Sequence, residues 1–256
     1  MIVDVQVDTS AGPVICPYPP APQDSLFIYL NDLISVRKQS GQHYISQPRS
    51  VVVGTQLEGV AIDINRSHKA VRVGFRPGGL HRLLGVNMTE FIDNSYNAED
   101  VFGNELRNLN DRLLEQTSFD QIKTEVENFL LRKLVSMRRG LPFDRAMQEL
   151  VKKGGNVTMD QAANYACVSV RQFERLSNQR IGMSPKLYAR LVRFSMAYRI
   201  RENSSHLSWT EIAHHCGYFD QMHFIRDFKF FAGVTPTIID KELEHLSVRL
   251  QADMRL

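Results

Sequence analysis

The stretch that decides the reading of this 256-residue chain runs from Thr158 to Pro236. Its first part, TMDQAANYACVSVRQFERLSNQRIGMSP (158–185), is repeated in outline by SWTEIAHHCGYFDQMHFIRDFKFFAGVTP (208–236). A shift of 51 positions places Ala162 on Ala213, Ser169 on Asp220, Phe173 on Phe224 and Arg175 on Arg226. The same shift lays Gly182-Met183-Ser184-Pro185 on Gly233-Val234-Thr235-Pro236. Two copies are too few for a stacked solenoid, so the repeat implies two small modules in tandem.

Each copy reads as helix, short turn, helix. Thr158 to Gln161 and Ser208 to Glu211 have capping-box spacing, a hydroxyl facing the third amide and a side chain reaching back. Ala162 and Ala213 allow close helix approach. Gly217 supplies a positive φ in the second turn, and Ser169 and Asp220 are suited to cap the second helices. In the second copy Phe224, Phe228 and Phe231 form a buried stripe at i, i+4, i+7. Gln221, Met222, Ile225, Arg226 and Lys229 then lie outward. In the first copy Phe173, Leu176 and Ile181 or Val170 face in, and Arg171, Glu174, Arg175 and Asn178 face out. A charged outer face on one helix is most simply a solvated surface. The same face at matched positions on two helices favours base reading in a major groove.

The stretch 158–236 resembles the DNA-binding domain of AraC/XylS-type transcriptional regulators. Glu211-Ile212-Ala213, Gly217-Tyr218, Phe224-Ile225-Arg226-Asp227-Phe228-Lys229 and Gly233-Val234-Thr235-Pro236 carry the likeness. One departure is Ser177, which aligns with Phe228 where the family has a core aromatic; it implies a looser first core or one repacked around Leu176. The resemblance implies an α+β two-domain protein: residues 1–138 a small β-sheet or barrel with a helix pair, for sensing or dimerisation, and residues 139–256 an all-α tandem helix-turn-helix domain. It further implies a cytoplasmic regulator of transcription, an activator or a repressor, with double-stranded DNA and RNA polymerase as partners. A small-molecule effector in the N-terminal domain and a homodimer are its further expectations. A second motif, Val73-Gly74-Phe75-Arg76-Pro77-Gly78-Gly79 with Leu83-Leu84-Gly85-Val86, resembles a stretch in the N-terminal domains of some such regulators.

Composition agrees. The first 140 residues carry a formal charge of −1 and the last 116 a charge of +4, so the excess sits in the half that would face phosphates. Three cysteines, Cys16, Cys167 and Cys216, lack metal-ligand spacing and suit a reducing compartment. No signal peptide or membrane-length apolar run is read.

Along the chain, the Pro-rich residues 1–25 read as an extended edge or arm. Leu26–Leu30, Ser50–Thr55, Val60–Ile64 and Ala70–Phe75 read as strands. Gly78-Gly79 entering a helix would serve either an anion or a tight turn; without a phosphate fingerprint, the turn is favoured. Asn104–Gln116 reads as a helix burying Leu106, Leu109, Leu113 and Leu114. Ser118 opens another, by a capping box, to about Met137, with Ile122, Val126, Phe129, Leu130, Leu134 and Met137 inward. This pair packs on the sheet or shares in a dimer. Residues 137–143 read as linker and 144–153 as a short supporting helix. Ser184-Pro185 starts a long helix to about Glu202 that buries Leu187, Leu191, Phe194 and Tyr198 and keeps Lys186, Arg190, Arg193, Arg199 and Arg201 wet. Residues 241–256 read as an amphipathic tail.

For base reading the candidates are Arg171, Glu174 and Arg175 in the first module and Gln221, Met222, His223 and Arg226 in the second. Arg bonds guanine, Gln bonds adenine, and Met or Ile touches a thymine methyl. Ser169, Lys186, Asp220 and Lys229 are the phosphate candidates, the two caps through the amides that follow them. His214 and His215 point about 100° apart on a helix and do not share a metal ion easily. No cofactor and no catalytic residue is read: nucleophile elbow, zincin and Walker motifs are absent. The rival reading is a small-molecule-binding β protein or enzyme with a helical protein-interaction domain.

Overall fold

The computed structural model describes residues 2–6, 14–64, 67–204 and 206–244. Its N-terminal domain is built from two antiparallel sheets. Strands β1 (Ile2–Gln6), β2 (Val14–Tyr18), β3 (Ser25–Tyr29), β4 (Ser35–Lys38), β5 (Ile45–Ser46), β6 (Ser50–Val53), β7 (Val60–Ile64), β8 (Ser67–Gly74) and β9 (Ser95–Asn97) follow in chain order. One sheet runs β1-β8-β3-β6-β9 and the other β2-β7-β4-β5. The Pro-rich start contributes β1 and β2, both at sheet edges, where a missing amide donor does least harm.

The central strand β3 shows why the sheet has two buried faces. Successive side chains point to opposite sides. Leu26 and Ile28 face a helical layer with Leu80, Leu106, Leu109 and Phe129. Phe27 and Tyr29 face the second sheet with Ile34, Val36 and Ile62. The run is therefore apolar throughout rather than alternating.

Helices α1 (Gly79–Leu84), α2 (Ala98–Phe102), α3 (Asn104–Leu114) and α4 (Phe119–Leu134) form the helical layer, with a 3-10 turn at Met88–Phe91. Gly78 takes φ 74° to enter α1, a tight turn as the Gly pair suggested. Several expectations need correction here. Leu114 and Leu134 are half-exposed, because the helix-to-sheet contact is used up by the stripes ending at Leu113 and Leu130. Ser118 precedes α4, but its side chain makes no capping bond, and the helix stops before Met137. Strands β4, β5 and β9, the 3-10 turn and α2 escape the strand and helix patterns because they are two to five residues long.

The C-terminal domain comprises α5 (Pro142–Lys152), α6 (Met159–Tyr165), α7 (Val170–Ile181), α8 (Pro185–Asn203), α9 (Trp209–His215), α10 (Gln221–Ala232) and α11 (Pro236–Glu244). One continuous core joins both modules, with Phe143, Phe173, Leu191, Phe194, Ile212, Phe224, Phe228 and Phe231 at its centre. Helix α5 begins at Pro142, earlier than expected, since Pro suits a first helical position and Asp144 then accepts from the Leu141 amide at 2.7 Å. Helix α11 occupies residues expected to begin a tail at 241, and residues 245–256 of that tail lie outside the described ones.

On α8 the expectation of four wet arginines fails. Arg190 pairs with Asp227 at 2.8 Å, Arg201 with Asp240 at 2.7 Å, and Arg193 donates to the Gly155 carbonyl at 3.3 Å. Arg199 is likewise half-buried, leaving only Lys186 of the five exposed. A central helix flanked on all sides has too little free surface for five solvated cations. Leu187 is correspondingly only half-buried, and Tyr188 takes the interior position with its hydroxyl donating to the Pro22 carbonyl at 2.7 Å.

Candidate nucleic-acid interface

Both modules are set by their caps. The Thr158 and Ser208 boxes form in full, and Ser169 and Asp220 accept from the third amides of α7 and α10. The repeat, however, has two registers. The first helices correspond at a shift of 50, Thr158 with Ser208 and the left-handed Cys167 (φ 55°) with Gly217 (φ 74°). The second helices correspond at 51, Ser169 with Asp220 and Gly182 with Gly233. Ala213 is thus matched by Ala163, and Ala162 by Ile212, all four buried. A single shift was misleading because the second turn holds one more residue.

The side chains expected to read bases are brought to two outer faces. Arg171, Glu174 and Arg175 on α7 are exposed, as are Gln221, Met222, His223 and Arg226 on α10. Opposite them Phe173 and Phe224 are buried, at 0% and 1% exposure. Two of these side chains have local partners: Arg175 Nε donates to Gln172 at 3.2 Å, and His223 Nδ1 lies 3.0 Å from the cap Asp220. The His223 amide, donating to Asp220 at 2.7 Å, holds that carboxyl below its ordinary range. Lys186 is exposed in the first turn of α8 and Lys229 in the last turn of α10.

Ser177 lies inside the first core. It is fully buried, and its hydroxyl donates to the Met183 carbonyl at 2.7 Å, closing the turn into α8. Leu176 stays half-buried. Arg180, three residues further along α7, makes a two-pronged bond to Asp144 at 3.0 and 2.9 Å. Cys216 is buried, which pushes its thiol up to about 12 and keeps it protonated.

The N-terminal domain touches the C-terminal ends of both α7 and α10. The C-cap of α7, Gly182 (φ 92°), packs against the Met88 carbonyl and Ile92, leaving no room for a side chain. Gln39, following β4, donates to the Ala232 carbonyl at the end of α10 at 2.9 Å. Lys38 Nζ donates to the Asp93 carbonyl, joining β4 to the segment that meets α7. Asp93 adopts φ 56° and accepts from the Leu57 and Glu58 amides.

Between the two sheets lies a cavity of about 270 Å³. Tyr18, Phe27, Val36, Ile62 and Ala70 give it apolar walls, and Lys38, His68 and Arg72 supply basic groups. Burial lowers the His68 pKa, so its imidazole is held neutral, with Asp4 opposing in part. Sequence patterns missed this site, though the aromatic second face of β3 was a visible signal. Among the described residues no helix is long and apolar enough to cross a membrane.

Two capped, outward-facing second helices on one shared core make a tandem helix-turn-helix domain behind a two-sheet domain. Residues 162–241 match the family described as a helix-turn-helix domain. The fold is similar to that of ToxT from Vibrio cholerae. An apo variant of that protein superposes with TM-score 0.53 at 13% identity, covering 96% of this chain and 97% of that one. ToxT bound to (E)-4-(8-methylnaphthalen-1-yl)but-3-enoic acid gives 0.53 at 12%, covering 94% and 97%. Unsaturated fatty acid-bound ToxT gives 0.51 at 12%, covering 96% and 94%. No curated protein sequence matches the chain.

Proposed function

We propose that this protein is a sequence-specific regulator of transcription, with its sensing and DNA-binding domains meeting near residues 138–139. The observation that carries the reading is the pair of matched, exposed faces on α7 and α10, each with its aromatic side locked in a common core. Arg171, Glu174, Arg175, Gln221, Met222, His223 and Arg226 meet base edges, and Lys186, Lys229 and the amides behind Ser169 and Asp220 meet phosphates. The 19 residues of α8 span about 28 Å at 1.5 Å each, a rod suited to holding two readers near one helical turn, about 34 Å, apart.

The cavity is the effector site in this reading. The two ligands named with ToxT each join a carboxylic acid to an apolar body, and apolar walls with Lys38 and Arg72 suit the same chemistry. An acid that drew Lys38 from the Asp93 carbonyl would disturb the segments touching Gly182 and Ala232, and so reach both readers. Only a ligand that binds the two arrangements unequally can shift them. The protein acts by binding rather than by catalysis, in the cytoplasm, with RNA polymerase and a second copy of the chain as further partners.

Gel-shift titration over a salt series tests the core of this. Specific, saturable binding should weaken linearly in log affinity against log salt. Unrelated duplex competing as well as the preferred one would reject the reading.

A further inference from the structure

The two reading surfaces differ in kind, and the difference is built into the longer second turn. In the first module Val168 alone separates the left-handed Cys167 from the cap Ser169; its amide donates to Ala163 at 3.1 Å. In the second, Tyr218 fills that role, donating to Ala213 at 3.0 Å with its ring buried. Phe219 is the added residue. It stands 94% exposed beside the cap Asp220, where no packing within the chain accounts for a phenyl ring. Met222 follows three residues later, 59% exposed, on the side of α10 that continues to Arg226 and Lys229.

Position by position, the hydrogen-bonding Arg171 and Glu174 of α7 are replaced on α10 by Met222 and Ile225, whereas Arg175 is retained as Arg226. Apolar groups have one distinctive target in a major groove, the 5-methyl of thymine. A solvent-exposed ring and thioether at the mouth of a reading helix gain by burying it. Resting on the regulator reading above, we propose that the second module selects its half-site through thymine methyl groups held by Phe219 and Met222. The first module selects by hydrogen bonds from Arg171 and Arg175.

The test uses the full chain and a duplex enriched by it from a randomised pool. Thymine is replaced by uracil, which removes only the methyl, in one half-site at a time. Uracil in the second half-site is expected to weaken binding about fourfold per methyl contacted, the worth of one buried carbon group. Uracil in the first half-site should change affinity less than twofold. Met222→Ala and Phe219→Ser should each weaken binding to the thymine duplex and erase its preference over uracil, whereas Arg226→Ala should weaken binding and keep that preference. Both substituted side chains are exposed, so folding is not at stake. Indifference to uracil in both half-sites, or an undiminished preference in the Met222 and Phe219 variants, overturns the proposal alone. A pool that yields no enriched duplex overturns the regulator reading and this proposal together.

Discussion

Removing the Asp144 carboxylate by Asp144→Ala should unlock the first reading helix. The Arg180 and Asp144 side chains are only 8% and 4% exposed and bond through both prongs. Deleting one member of a buried pair leaves the other charge uncompensated and costs about 3–5 kcal/mol. Asp144 also accepts from the Leu141 amide at the start of α5, so about 1 kcal/mol of capping is lost as well. At roughly 2–4 °C per kcal/mol for a chain of this size, the melting transition should fall by about 10–20 °C. Differential scanning calorimetry measures this directly. The double variant Asp144→Leu, Arg180→Met replaces the pair with apolar volume and should recover most of the loss, since buried pairs and well-packed apolar substitutes are nearly equivalent. Melting of the single variant within 2 °C of the parent would refute the argument. So would a double variant as unstable as the two single changes added together.

Arg226→Ala should cost about 1–3 kcal/mol of specific DNA binding, while Lys229→Ala should weaken all sequences alike and lower the salt slope by about one; anisotropy titrations at several salt concentrations separate them. Asp24, buried and accepting from Thr55, has its pKa pushed up to about 6 by desolvation. A raised folded pKa means that its share of stability is full below about 4, the unfolded value, and is lost as pH rises through about 6. Urea unfolding at stepped pH should show that decline, and Asp24→Asn should remove it. Gly182→Ala would place a Cβ 2.5 Å from the Met88 carbonyl at a left-handed position, so α7 should part from the N-terminal domain and proteolysis near residues 135–141 should quicken. A monounsaturated fatty acid at a hundred times its dissociation constant should stabilise the protein by about 2.7 kcal/mol in a thermal melt, and Ala70→Phe, which fills the cavity, should abolish the effect.

What the chain order determined alone was whatever depends on neighbours a few residues apart. Capping boxes, the aromatic stripe Phe224, Phe228, Phe231 and the outward Arg175 and Arg226 are local periodicities, so the helical modules and their exposed faces were legible. Strands such as Val60–Ile64 were legible for the same reason, as β-branched runs between turns. The tertiary structure decided whatever needs partners far away in the chain. Arg180, to which the sequence reading gave no role, finds Asp144 36 residues away, and Arg190, expected to stay wet, finds Asp227 at 37. Strands β5 and β9 exist because a longer partner supplies their hydrogen bonds. The cavity arises where two sheets face each other, and the link from Gln39 to Ala232 crosses 193 residues. Period-based reading sees one face of one element, whereas closing a core and choosing its polar partners depend on the relative placement of many.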